Sequence, residues 1–339
     1  MAKPVTEAEQ ISDIAFGFMA SKALFAALHV GVFTKLADGP KTAAEMAQVT
    51  GVRENRMTTL LTALNSIGLL TREGSAFANS PGAQAFLVQG AKYDFGDYLR
   101  FQIDRQMFPF MQGLEAVIKG DMEPDQIDSY AKWMDDPEEA RLYSESQHSG
   151  SIGPGRTLAR MMDLSDVTNL LDVAGGTGAF AIELCRAYPK LNVTILDFPN
   201  VVSLGEKFVA EAGLSDRIKF IGGNALEAEW PEGQDAVIMS YLFNGVPGES
   251  IPDLARHAYR VLNPGGHYIV HDFMVEDDRS GPTLAALWQL QHMAFTPAAK
   301  SITPIWVSGV MEGAGFTDIR VEELIPAMTK VVMSRKPAE

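Results

Sequence analysis

Leu170-Leu171-Asp172-Val173-Ala174-Gly175-Gly176-Thr177-Gly178-Ala179 decides how this chain is read. Asn169–Val173 is short, apolar and rich in strand formers, so it reads as a buried parallel strand. The glycines turn the backbone, and Ala181–Tyr188 continues as an apolar helix. A strand, a glycine turn and a helix start direct backbone N–H groups at a ligand that must approach closely. Read as Gly176-x-Gly178-x-x-Ala181, the turn satisfies the dinucleotide fingerprint, with Asp197 placed for a ribose, roughly 20 residues on.

The sequence beyond the turn separates that reading from a second one. Thr194–Leu196 is a strand ending in Asp197-Phe198-Pro199, Ile218–Gly222 one ending in Gly223-Asn224-Ala225-Leu226, and Ala236–Ser240 a fourth. Arg260-Val261-Leu262-Asn263-Pro264-Gly265-Gly266 closes a helix and leads into strand His267–His271. Ile319–Glu322 and Lys330–Met333 are spaced as a closing antiparallel pair. Read as Asp172-x-Ala174-Gly175-Gly176-Thr177-Gly178, the turn resembles motif I of the class I S-adenosylmethionine-dependent methyltransferases. Leu-x-Pro-Gly-Gly before the fifth strand is a mark of that family which dinucleotide folds do not need. The expected fold is α/β, a Rossmann-like class I methyltransferase sheet.

Composition narrows the partners. The 339 residues suit one large or two ordinary domains, and 46% hydrophobic residues supply a sizeable core. A net charge of −15 repels phosphate backbones and anionic lipid, so neither nucleic acid nor a membrane surface is expected as a partner. The start Met1–Glu7 has no signal-peptide core, and no stretch reads as the ~20 apolar residues of a membrane span. The expected location is cytoplasmic. One cysteine, Cys185, permits no internal disulfide and reads as a buried small residue. The six histidines are scattered, so no metal site is expected.

The N-terminal third is helical. Ile11–Leu28 carries apolar residues at roughly helical spacing. Thr42-Ala43-Ala44-Glu45 is a capping box, Gly51 a stop, and Arg53–Ile67 a second helix ending at Gly68. Leu69–Thr71 and Ala76–Ala78 form a hairpin, and Ser80-Pro81 opens another helix. Two helices and a hairpin describe a winged helix. Arg53, Arg56 and Arg72, interleaved with Glu54 and Glu73, are a thin footprint for DNA, so dimerisation is the favoured role. Phe95–Ile118 is rich in aromatics and methionine, interrupted by Arg100, Asp104 and Arg105. Lys119–Asp136 reads as a connector, and Asp136-Pro137-Glu138-Glu139 restarts a helix. The expected boundaries are 1–112 for the dimerisation domain and 113–339 for the methyltransferase domain.

This order resembles the plant phenolic and hydroxyindole O-methyltransferases over nearly the whole chain. The matches are Leu171–Gly178, Leu196-Asp197-Phe198-Pro199, Leu262–Gly266 and Gly313-Ala314-Gly315-Phe316. The resemblance implies a homodimer that binds S-adenosylmethionine and releases S-adenosylhomocysteine. It implies cofactor contacts from Asp172, Ala174, Gly175, Gly176, Gly178, Asp197, Phe198, Asn224, Ala225 and Ser240, with Asn224 where the family usually has aspartate.

One departure concerns the chemistry. After the fourth strand the family carries Leu-His-Asp-Trp, whose histidine deprotonates the substrate hydroxyl; this chain reads Leu242-Phe243-Asn244-Gly245. Either another histidine (His271, His292 or His148) has taken over, or no base is needed. A hydroxyl nucleophile gains ~10²–10⁴-fold from a general base. A thioether sulfur has no proton to lose, so positioning and water exclusion can carry its methylation. The pattern resembles the S-methyltransferases that act on 4-methylthio-2-hydroxybutyrate in dimethylsulfoniopropionate synthesis. The expected thioether wall is Phe243 with Trp288, Met293 or Phe295. Arg100, Arg105, Tyr143, Gln147, His148 and His292 are the candidates for the rest of the substrate site. O- or C-methylation of an aromatic metabolite is the alternative, and a non-catalytic winged-helix regulator the reading from another class.

Overall fold

The computed structural model describes residues 3–121 and 130–338. The chain divides into two compact units, Lys3–Phe108 and Pro109 onward.

The N-terminal unit begins with α1 (Ala8–Val30). After strand β1 (Lys41–Thr42) come α2 (Ala43–Thr50) and α3 (Glu54–Ser66). The Thr42–Glu45 box forms as read: Glu45 N–H donates to Thr42 Oγ1 at 3.3 Å, and Glu45 Oε2 accepts from Thr42 N–H at 2.7 Å. Strands β2 (Leu70–Glu73) and β3 (Ala76–Asn79) pair with β1 in the order β1-β3-β2, and α4 (Pro81–Phe86) follows with Ser80 as its cap. Strand β1 was not foreseen, because two residues carry no period. Phe33, Met46, Met57, Leu61, Leu64 and Leu70 fill the core of this unit.

Two features of this unit correct the sequence reading. Helix α1 is long and apolar enough, by length and composition alone, to cross a membrane. Its polar residues are too few to break the run, and Ile11, Ile14, Phe16, Phe18 and Met19 are all exposed on it. The aromatic segment that follows α4 contains a π-helix, Tyr98–Met107. Composition alone, which is all the sequence offered here, does not reveal a register wider than 3.6 residues per turn.

In the C-terminal unit, seven strands form one sheet. They are β4 (Asn169–Val173), β5 (Asn192–Asp197), β6 (Ile218–Gly222), β7 (Gln234–Ser240), β8 (Leu262–Asp272), β9 (Thr317–Ile325) and β10 (Thr329–Arg335). Their order is β6-β5-β4-β7-β8-β10-β9, parallel as far as β8, with β10 antiparallel to both neighbours. The central strands are buried on both faces, as continuous apolar runs require. The strand after Leu262 starts earlier than read. Leu262 pairs with Gln234 and His267 with Ala236, so Asn263–Gly266 is absorbed as an irregularity within β8.

The α-helices from Pro137 onward are α5 (Pro137–Met161), α6 (Ala179–Ala187), α7 (Pro199–Glu211), α8 (Ile251–Val261), α9 (Thr283–Phe295) and α10 (Pro304–Ala314). Asp136 caps α5 as expected, accepting from Glu138 N–H at 2.9 Å and Glu139 N–H at 3.0 Å. The expected connector Lys119–Asp136 is partly helical, with a turn at Tyr130–Met134, and its residues 122–129 lie outside the described residues. Cys185 is buried and free. Among the described residues, no group of three or more His, Cys, Asp or Glu is placed to hold a metal ion.

Candidate active site

Strands β4, β5 and β7 end at a common edge, and the turns leaving them frame a cleft of about 1120 Å³ including its open mouth. It is concave and lined mainly by apolar groups with a few polar ones, the form small-molecule sites take. At the floor, Ala174 (φ 57°), Gly176 (φ 59°) and Gly178 (φ 82°) hold the turn after β4 in left-handed conformations. A Cβ on Gly175 would lie 2.5 Å from Asp172 Cγ, so the close fold of the turn over that carboxyl requires glycine. Gly178 caps α6, with Ile195 Cδ1 2.9 Å from where its Cβ would be.

Two carboxyls face this floor. Asp197 Oδ2 accepts from Gly176 N–H and Oδ1 from Phe198 N–H, each at 2.7 Å, tying the end of β5 to the glycine turn. Burial raises its pKa to about 6 against those two hydrogen bonds. Asp172 is 1% exposed and neither carboxyl oxygen has a hydrogen-bond partner. Burial, with the charge of Asp197 adding, lifts it to about 7. A buried carboxyl left unpaired at the floor of a cleft calls for a cationic ligand.

S-adenosylmethionine meets those demands: its ammonium would pair with Asp172, its ribose hydroxyls with Asp197, and Asn224 and Ala225 would border its adenine. Asp172, Ala174, Gly175, Gly176, Asp197, Phe198, Asn224, Ala225 and Ser240 all line the cleft. Gly178 does not; it shapes the turn from beneath. Thr177, Tyr130, Met134, Ser144, Ser151 and Tyr241 also line it and were not anticipated. Ser151 was within reach, since Tyr143, Gln147 and Ser151 repeat every four residues along one face of α5. Tyr130 and Met134 lay in the stretch read as a connector.

The expected substrate residues divide. Tyr143 and Gln147 line the cleft, and Gln147 Oε1 is buried without a partner. Beside them stands an aromatic cluster, in which the expected Phe295 is 1% exposed and, like Trp133, does not line the cleft. Tyr130 packs on Phe295 (centroids 4.6 Å apart), Phe110 on Phe295 (4.7 Å), and Trp133 on Phe295 and Tyr143 (5.0 Å each). His292 joins it, its Nδ1 3.4 Å from the Tyr130 hydroxyl, and burial lowers its pKa to about 4. Trp288 stacks on Phe273 at 4.8 Å and does not line the cleft.

Four expectations need correction. Phe243 is 1% exposed and packs in the core with residues such as Met239, Ile251 and Met274 rather than lining the cleft. The chain turns at Tyr241 (φ 58°) into a 3₁₀ turn at Phe243–Gly245, and this sends the ring inward. His148 does not itself line the cleft: its ring stacks on Phe208 and its Nδ1 reaches the hydroxyl of the lining residue Thr177. Arg100 and Arg105 belong to the N-terminal unit. There Arg100 pairs with Asp97 and both guanidiniums lie over the Phe101 ring. His271, weighed as a relocated base, is fully buried with Nε2 2.9 Å from Thr329 Oγ1 and Nδ1 3.3 Å from Ser240 Oγ. Burial drops its pKa to about 3. Asn244 occupies the place of the family acid and donates through Nδ2 to Asp272 Oδ1 at 2.6 Å.

Fold and cleft together define a class I methyltransferase with S-adenosylmethionine as methyl donor. The chain belongs to the O-methyltransferase family: its O-methyltransferase domain matches residues 124–317, and the O-methyltransferase dimerisation domain matches residues 12–89. The 3-hydroxy-5-methyl-1-naphthoate 3-O-methyltransferase of Streptomyces sahachiroi is 30% identical over 91% of this chain and 90% of its own length. The L-tyrosine C(3)-methyltransferase of Streptomyces lavendulae is 27% identical over 90% and 85%. Human N-acetylserotonin methyltransferase, solved with S-adenosylmethionine, superposes with a TM-score of 0.87 at 24% identity, covering 99% of this chain and 100% of that one.

Proposed function

We propose that this protein methylates the thioether sulfur of a small anionic acid, 4-methylthio-2-hydroxybutyrate, without a general base. The observation that carries the reading is the loss of the base. Phenylalanine stands at position 243 with its ring in the core, and His271 has both ring nitrogens engaged. His292 is the histidine in the aromatic cluster, and a group with a pKa near 4 is a poor base at neutral pH. S-adenosylmethionine supplies a methyl group already activated on a cationic sulfur. The protein's part is then to align the acceptor and keep water out. Tyr130 and Tyr143, which line the cleft, are aromatic rings of the kind that suit a sulfonium product. Gln147, with its unpartnered oxygen, is the cleft residue we assign to the substrate hydroxyl.

The second reading is O- or C-methylation of an aromatic metabolite. It is favoured by relatives named for a naphthoate oxygen and a tyrosine ring carbon. The protein acts in this reading as a cytoplasmic homodimer, the exposed apolar face of α1 being covered by a second copy. Product analysis by mass spectrometry separates the readings. The dimethylsulfonio product from 4-methylthio-2-hydroxybutyrate, with little turnover of methionine or phenols, is expected. Turnover of a hydroxylated aromatic acid and none of the thioether would replace S-methylation by the second reading.

A further inference from the structure

Helix α5 has two differently held halves. Its first half lies along the cleft, which Tyr143, Ser144 and Gln147 line. Its second half is fixed to the body of the unit. Leu158 and Ala159 are in the core, Arg156 Nε donates to Glu183 Oε2 at 2.8 Å, and a Cβ on Gly155 would come within 3.2 Å of Phe180 Cα. Between the halves runs Ser149-Gly150-Ser151-Ile152-Gly153-Pro154-Gly155. Glycine and proline are the two poorest helix formers, and Pro154 has no N–H to donate to Gly150 one turn back. The helix is therefore weakest where its two halves join.

His148 is the residue just before this weak run. Its Nδ1 lies 2.7 Å from Thr177 Oγ1, and its ring stacks on Phe208 of α7 at 4.0 Å and 21°. Thr177 is the hydroxyl-bearing residue of the glycine turn, 4% exposed, flanked by Gly176 and Gly178 with their positive φ. Burial first, and Arg186 in the same direction against Glu183, lowers the His148 pKa to about 4, so the ring is neutral at physiological pH. A neutral imidazole and a hydroxyl make one hydrogen bond in either tautomer.

We propose that His148 is a positioning residue whose hydrogen bond to Thr177 latches the first half of α5 onto the glycine turn. Release of that contact lets this half swing at Ser149–Gly155, away from a cofactor it would flank through Tyr143, Ser144 and Gln147, and so speeds cofactor departure. The inference is independent of which acceptor atom is methylated.

The test uses the full chain loaded with S-adenosylhomocysteine. Its dissociation is followed by stopped flow, and backbone hydrogen exchange is measured along α5. Thr177→Val keeps the shape of the side chain, and His148→Phe keeps the stack on Phe208. Each is expected to speed dissociation about fivefold, the worth of one neutral hydrogen bond. The double variant should be no faster than either alone, because both remove the same contact. Thr177→Ser should restore the parent rate. In His148→Phe, residues 138–149 should exchange faster while Arg156–Met161 stays unchanged. Additive rates, or a Thr177→Ser as fast as Thr177→Val, would overturn the latch. So would unchanged exchange over 138–149, or a uniform rise along all of α5 with a lowered melting temperature, which marks a merely structural histidine.

Discussion

Cofactor affinity should rise with pH between about 5.5 and 7, because Asp172 must lose a proton when a cation arrives. In the free protein burial, reinforced by Asp197, holds Asp172 near pKa 7, and burial holds Asp197 near 6. Below those values the cleft floor is largely neutral. A cofactor ammonium set against Asp172 favours the carboxylate, so the bound-state pKa lies below the free-state one and binding expels a proton. The sign follows: affinity is weakest on the acid side, climbs through the interval between the two pKa values, and levels above about 7. One proton gives at most tenfold per pH unit, or ~1.36 kcal/mol. From about pH 5.5 to 7 that amounts to roughly fifteenfold, ~1.6 kcal/mol, because Asp172 is already half ionised at pH 7. The buried His148, His271 and His292, lowered to about 4, 3 and 4, stay neutral throughout and leave the slope to the carboxyls. Titration calorimetry in two buffers of different ionisation heat reads affinity and proton release together. Asp172→Asn should lose most of the slope and bind at neutral pH about as weakly as the parent at pH 5.5. A flat parent profile, net proton uptake, or an Asp172→Asn variant with the full slope would refute the pairing of Asp172 with the cofactor.

Other outcomes follow from the same geometry. The Asp172 pKa lies above its unfolded value, so its stabilising protonation is present at low pH and lost as pH rises from about 4 to about 7. Without cofactor, Asp172→Asn should therefore melt above the parent at pH 7.5, and calorimetric scans should show the gap narrowing at pH 5. Gly175→Ala forces a Cβ against the Asp172 carboxyl and should weaken cofactor binding more than tenfold with circular dichroism unchanged. The rate at saturating thioether should be nearly flat from about pH 7 to 9, whereas a tenfold rise per unit would identify a hydroxyl nucleophile. Ile14→Glu with Phe18→Glu, both on the exposed face of α1, should convert a dimer to a monomer in light scattering, and an unchanged mass would place the interface elsewhere.

What the sequence made legible was what local rules govern. The Thr42–Glu45 box, the Asp136 cap, the glycine turn and the strand ends at Asp197 and Ser240 each rest on residues within a few positions of one another, and each is where its spacing puts it. The substrate side failed where direction, not position, mattered. His148 is next in sequence to Gln147, yet one residue along a helix is a turn of about 100°, enough to carry its ring off the cleft lining and onto Phe208. Phe243 follows Leu242, which lines the cleft, but the positive φ at Tyr241 and the 3₁₀ turn send its ring into the core. The consequence reaches the chemistry. Position 243 is not merely a base exchanged for an aromatic wall, since the ring has left the cleft and Asn244 is bound to Asp272. Aromatic side chains that do line the cleft include Tyr143 and Tyr130, the latter from a stretch whose polarity hid it, while Trp133 and Phe295 pack against Tyr130. With the Phe243 ring buried and Asn244 bound to Asp272, position 243 offers an acceptor no base, and an acceptor that already carries its lone pair is the kind this would suit.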